Sequence, residues 1–318
     1  MLFNSIFNED EIEIERKVIK EEYIKDNNDI SSITDELIMD TVFGGTHYQH
    51  PVIGYLKNIN KINRKDMLKY WKKYYTKENC VIVLNGNIEK ELIQHIDSIQ
   101  IKNSPMIYKT HSLKETQHYK FKFKNDNHTD QTILSVCFKT LGLKDNNRYS
   151  YDLITNILGG NMSSKLFMSL REKYGLIYDL NCDSHNFKDV GYIEIHCSFD
   201  NKNFEKTFQY LFEEIKHLKY NYLNHKEIKD NINFVSSNII MSQEDAISFS
   251  ENIGNEYLLT GKINNSINKI KEYNKIDKYN IQKTCYNLFK NENMSIVIIG
   301  KQNKIKIKSF IDDIINKL

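Results

Sequence analysis

The sequence of 318 residues has no CxxC pair among its five cysteines, two prolines, one tryptophan and almost no net charge. Cys80, Cys137, Cys182, Cys197 and Cys285 are scattered and odd in number, which excludes a disulfide framework and a cysteine zinc cluster and reads as reduced thiols. The 44 basic and 42 acidic residues are interleaved, so no nucleic-acid footprint stands out. Lys, Asn and Ile are all heavily used, and lysine-rich stretches are discounted accordingly. No apolar run approaches the ~20 residues of a membrane span. Met1 to Asp10 lack the basic segment and long apolar run of a secretory signal, which makes an intracellular, cytoplasmic location the default expectation.

What is present suffices for folded cores: 40% of residues are hydrophobic and 12% aromatic, which excludes a disordered chain, and the length predicts about two domains. An internal repeat supports two. Lys77-Glu78-Asn79-Cys80-Val81-Ile82-Val83-Leu84-Asn85-Gly86 aligns without a gap on Asn291-Glu292-Asn293-Met294-Ser295-Ile296-Val297-Ile298-Ile299-Gly300. Each copy is a turn followed by a β-branched apolar run ending at Gly, the pattern of a buried central strand. Helical segments precede the copies at Arg64 to Tyr75 and Lys278 to Phe289, and follow them at Glu89 to Ile99 and Ile305 to Lys317.

Polar residues and Pro105 mark a linker, from about Lys102 to Thr116, between the copies. Beyond it, strands are expected at Tyr119 to Lys124, Gln131 to Thr140 and Val190 to Phe199. In the last, Ile193, Ile195, Cys197 and Phe199 alternate with Glu194, His196 and Ser198. Helices are expected at Arg148 to Leu158, where Gly159-Gly160 serves as the stop, at Phe204 to Leu218 and from Lys226 to about Met241. Applying the repeat offset to the strand at Tyr119 would start the first unit roughly 95 residues before Met1. The expectation is therefore an α+β chain with an incomplete first unit at 1–105, a linker at 106–118 and a complete second unit at 119–318.

The helix from about Glu11 to Asp26 carries Glu11, Glu15, Val18 and Glu22 on one face. Taken alone, that stripe is solvated surface. Carboxylates could complete a zinc site, but this helix has no histidine or cysteine to join them. His47 and His50 form HxxH in a Gly-bearing loop and are expected to be structural or exposed; His185, His196, His217 and His225 stand isolated.

The Glu15-Arg16-Lys17-Val18-Ile19-Lys20-Glu21-Glu22 segment, followed by His50-Pro51-Val52-Ile53-Gly54 and Tyr74 to Gly86, resembles the first domain of the insulinase and mitochondrial-processing-peptidase family of zinc metallopeptidases. Leu170-Arg171-Glu172-Lys173-Tyr174-Gly175-Leu176-Ile177-Tyr178 resembles the LREKxGLxY segment of its second domain, and Gly159 to Ser164 the glycine-bearing turn before it. The resemblance implies two related α/β sandwich units, each a mixed sheet covered by helices, and peptide hydrolysis assisted by zinc. It implies that Glu22 matches the third zinc ligand and Glu15 the acidic residue supporting the site. Arg171 and Tyr178 match residues that hold the substrate backbone. The family's HxxEH motif is not in this sequence. The lone chain is therefore expected to bind zinc weakly and not to be catalytic. A polypeptide substrate is implied, with either a partner chain supplying the rest of the first domain or self-association. The alternative is a non-catalytic peptide-binding or structural subunit of a processing-peptidase-like complex.

Overall fold

The structure, a computed structural model, describes residues 2–103, 118–127, 129–143 and 145–317. In chain order the first elements are α1 (Glu9–Asp26), α2 (Ile30–Phe43), α3 (Leu56–Ile59), α4 (Arg64–Tyr74), α5 (Lys90–Ser98), β1 (Lys120–Asn125), β2 (Gln131–Thr140) and α6 (Arg148–Leu158). A π-helical segment, Phe167–Lys173, leads to β3 (Asp179–Asn186) and β4 (Gly191–Asp200). Then come α7 (Phe204–Tyr220), α8 (His225–Met241), α9 (Ala246–Thr260), α10 (Ser266–Tyr273), α11 (Lys278–Leu288), β5 (Met294–Gly300) and α12 (Lys304–Ile315). The expected linker, 106–118, lies outside the described residues except for His118.

The chain divides into two units that are not continuous in sequence: Met1–Ile33, His50–Thr110 and Ile240–Asn264 in one, Thr34–Gln49, His111–Ile239 and Asn265–Leu318 in the other. The second unit is a mixed α+β layer structure. Its sheet runs β1-β5-β2-β4-β3, with β1 parallel to β5 and the other pairs antiparallel. Alternation along β2 sends Leu134, Val136 and Phe138 into a core shared with α6, α7, α11 and α12. Cys137 points to the opposite face, where Ile38, Val42 and Phe43 of α2 cover it together with Tyr192 and Val297. Because β5 lies inside the sheet and is covered on both faces, all seven of its residues are buried, as its unbroken apolar run predicts.

The first unit is built from helices among its described residues, and the repeat is visible in it. Helices α4 and α11, and the 3-10 turns Lys77–Asn79 and Asn291–Asn293, coincide residue for residue at the offset of 214. Both helices start from a capping box, Asn63 with Asp66 and Asp277 with Asn280. The correspondence stops where a strand was expected. Residues 80–85 form no regular strand, and Ile82 and Leu84 are exposed, at 47% and 36%. The difference is one of partners. A strand exists through its ladder, and β5 has β1 and β2 on its two edges, whereas no strand among the described residues pairs with 80–85. This segment is held instead by Asn85, whose Nδ2 donates to the Ala246 carbonyl of α9.

Candidate functional site

In the first unit, α1 is capped by the Asn8 side chain, which accepts from Asp10 N at 2.9 Å. It is tied down by Arg16. That guanidinium donates to the Ile59 carbonyl at the end of α3, to the Ile62 carbonyl at 2.7 Å, and to Glu13 at 2.9 Å. The hydrogen bonds from Arg16 hold the Glu13 carboxyl below its usual range. The arginine of the ERxVIxEE segment is therefore an anchor, a role that only the fold reveals. Glu15 and Glu22, by contrast, are exposed, and neither side chain hydrogen-bonds within the described residues. These carboxylates do not make a zinc site by themselves. Among the described residues no three His, Cys, Asp or Glu side chains converge on a position that could hold a metal. His50 Nδ1 lies 3.0 Å from the Tyr55 hydroxyl, a local structural contact as expected.

In the second unit, the geometry of residues 170–178 accounts for nearly every position of that segment. Leu170 is fully buried and Ile177 is 6% exposed; they fasten its two ends to the core. Between them the π-helix closes with Tyr174 N donating to Ser169 O at 3.2 Å and Leu176 N to Leu170 O at 2.8 Å. Gly175 provides the turn at φ +58°, the left-handed region that disfavours other residues. Tyr174 stacks on Tyr210 at 4.1 Å. Arg171, with its guanidinium 5.1 Å from the Phe167 ring centroid, and Tyr178, 57% exposed where the chain enters β3, are left facing outward. Among the described residues neither the guanidinium nor the phenol hydroxyl hydrogen-bonds to the protein. Gly159-Gly160 ends α6 as expected, with Gly159 as its C-cap. A Cβ at Gly159 would lie 2.8 Å from Cys182 Cβ and one at Gly160 2.9 Å from Asn156 Cα, so their lack of a side chain lets the end of α6 close on itself and on β3.

Two histidines that look isolated in sequence are brought together by the sheet. His185 on β3 and His196 on β4 flank the half-buried Glu194, with Nε2 to Oε2 at 3.5 Å and Nδ1 to Oε1 at 3.7 Å. Ser135 Oγ of β2 is 3.1 Å from His196 Nδ1, and the His185 ring stacks on Tyr192 at 4.5 Å. Burial would raise the Glu194 acid, but hydrogen bonds from His185, His196 and Ser135 hold it at about 2. Burial pulls His196 down, and Glu194 more than reverses that, so it lies above its usual value. The alternation of Glu194 and His196 already places them on one face; His185 joins them only through the pairing of β3, an element the sequence pattern does not show.

Residues 61–234 match the family profile described as the peptidase M16 inactive domain. The chain is 25% identical over 304 residues to YmxG, an uncharacterized zinc protease of Bacillus subtilis, spanning 94% of this chain and 73% of that one. It is 29% identical over 266 residues to an uncharacterized zinc protease of Rickettsia bellii, spanning 81% of this chain and 63% of the relative. The fold superposes with a TM-score of 0.83 on the peptidase M16 inactive domain from Pseudomonas fluorescens, at 18% identity, covering 95% of this chain and 73% of that one. It also superposes with a TM-score of 0.82 on a chain of complex III2 from Candida albicans, at 15% identity, covering 93% and 74%.

Proposed function

Because the chain belongs to the peptidase M16 family, we propose that it serves as the peptide-holding part of a zinc endopeptidase of that family and does not cleave peptides on its own. The observation that carries this reading is the pair Arg171 and Tyr178: exposed, without internal hydrogen bonds, and set on a segment whose ends are buried at Leu170 and Ile177. A guanidinium and a phenol are both donors suited to the carbonyls of an extended polypeptide or to a developing oxyanion. Rigid attachment limits the entropy lost when they engage. Residues 119–318 serve as a whole second domain, 106–118 as linker and 1–105 as the back portion of a first. Glu22, supported by Glu15, is the carboxylate this chain contributes to a zinc site whose imidazoles belong to the family's HxxEH segment, which these 318 residues do not include.

A partner is supported by the first unit itself, where only Ile59 and Thr76 are buried among the described residues while Ile82, Leu84, Ile88, Leu92, Ile93 and Ile99 are exposed. Such a surface favours association, and the Candida albicans chain of like fold belongs to a multi-subunit assembly. A second copy could cover the same surface. On α1 the carboxylates of Glu15 and Glu22 stand without a histidine or cysteine beside them, which favours a second reading, a non-catalytic peptide-binding or structural subunit. Peptide binding followed by fluorescence anisotropy tests the proposal: Arg171→Ala and Tyr178→Phe each weaken it. Unchanged affinity in both variants would refute the role of the pair. One tightly bound zinc per purified chain, lost in Glu22→Gln, would overturn the claim that the lone chain is inactive.

A further inference from the structure

The sole Asn-Gly pair of the sequence, Asn85-Gly86, closes the segment of the first unit that pairs with no strand among the described residues. In that segment Val81 and Val83 are half-buried while Ile82 and Leu84 are exposed, the alternation of an extended chain. Its inner side rests on α9, where a Cβ at Gly254 would lie 3.1 Å from Val83 Cγ2. Its end is tied by Asn85 Nδ2, which donates to the Ala246 carbonyl at 3.2 Å. Ser250 Oγ donates to the same carbonyl at 2.7 Å, so the Asn85 bond matters more to the segment than to the helix.

Asn85 and Gly86 combine the features that make an asparagine chemically labile. Both are exposed. Gly86 has φ +127° and a Cβ there would meet nothing within 4 Å, so nothing shields its nitrogen, and its N–H makes no hydrogen bond among the described residues. The equivalents in the second copy of the repeat lack these features: Ile299 stands where Asn85 does, and Gly300 lies in the ladder opposite Asn125. We propose that Asn85 is a site of spontaneous deamidation, in which the Gly86 amide nitrogen attacks Asn85 Cγ. The new Cγ–N bond closes a succinimide ring while the Cγ–Nδ2 bond breaks, and Nδ2 leaves as ammonia, taking up the proton lost from the Gly86 nitrogen. Water then opens the ring at either carbonyl to leave aspartate or isoaspartate, so that one water is consumed for each ammonia released. Neither product keeps the Nδ2 donor. The new carboxylate has no proton to offer the Ala246 carbonyl, and the end of 80–85 comes away from α9. Asn79 and Asn87 are poorer sites. Asn79 precedes Cys80 and its Nδ2 donates to the Tyr74 carbonyl at 2.9 Å, whereas Asn87 precedes Ile88, whose β-branched side chain crowds the attacking nitrogen.

Cleavage after lysine releases residues 78–90 as one peptide that carries all three asparagines. The full chain is incubated at mildly acidic and at mildly alkaline pH and digested beside an unincubated control, and the peptide is read by mass spectrometry and by enzymatic methylation of isoaspartate. The expected result is the mass gain of an amide-to-acid exchange confined to Asn85. It should grow with pH, because the Gly86 nitrogen must lose its proton, and the isoaspartate signal should be lost in Asn85→Gln, whose longer side chain does not close the same ring. Release of the segment is read at Cys80, the one cysteine that is not buried: its alkylation rate should rise with the extent of deamidation, and in Asn85→Asp. No mass gain at Asn85, an equal gain at Asn79 or Asn87, or an isoaspartate signal that persists in Asn85→Gln would overturn the site. A Cys80 rate unchanged in both the incubated chain and Asn85→Asp would overturn the release.

Discussion

At the scale of single residues, the most informative side chains are those the fold leaves unsatisfied beside those it satisfies completely. Arg171 and Tyr178 point outward from a segment clamped at Leu170 and Ile177. Replacing Arg171 by Ala or Tyr178 by Phe should therefore reduce peptide affinity by about 1–2 kcal/mol each without moving the thermal midpoint, as checked by anisotropy beside a melting curve. Gly175 tests the opposite property. Its φ is +58° and a Cβ there would meet nothing within 4 Å, so Gly175→Ala should lower stability by roughly 1 kcal/mol through backbone strain alone, read from the urea midpoint. These positions were legible in sequence as a motif, but their division of labour was not. That Leu170 is buried while Arg171 faces outward agrees with their side chains, but which face of the π-helix meets the core is set by the fold.

At the scale of elements, the sheet face that carries Glu194 sets a pH dependence. Glu194 is held at about 2 against an ordinary 4.5, so its contribution is complete above 4.5 and lost as pH falls toward 2. His196 is raised above its ordinary 6.5, so its contribution is complete below 6.5 and lost as pH rises through the folded value. Asp179 and Asp35, the latter on α2, add to the negative charge facing His196. Unfolding by urea should accordingly show greatest stability from this cluster between about 4.5 and 6.5. In Glu194→Gln that maximum should flatten, with a loss of about 1–3 kcal/mol within the window. The two copies of the repeat make a second comparison. Amides of β5 should exchange slowly and those of 80–85 fast, because β5 is paired on both edges and 80–85 pair with no strand among the described residues. Ile298→Ala, a truncation at a fully buried position, should lower stability by about 2–5 kcal/mol, whereas Ile82→Ala should change it little.

At the scale of the whole molecule, burial is unevenly shared. Nearly all buried hydrophobic residues belong to the second unit, with Ile59 the exception in the first. Under the proposed reading the chain associates, with a partner or with itself, and sedimentation equilibrium should show association that increases with concentration and is reduced by Ile82→Lys and Leu84→Lys. A monodisperse monomer over the whole range would contradict it. No helix among the described residues is long and apolar enough to cross a membrane, so the exposed apolar residues of the first unit are not part of a spanning helix.

The sequence by itself determined helices α1, α4 to α8, α11 and α12, the repeat, the central strand β5 and the segment that carries Arg171 and Tyr178, but not α2, α9 or α10. These rest on local physics: periodicity, capping residues such as Asn63 and Asp277, and a β-branched run bounded by glycine. Tertiary structure alone decided that residues 80–85 lack a ladder among the described residues while their equivalents have one, that Arg16 reaches the carbonyls of Ile59 and Ile62, and that His185 and His196 share one carboxylate. Each of these depends on groups distant along the chain, and the composition of a segment does not encode which neighbour it will meet.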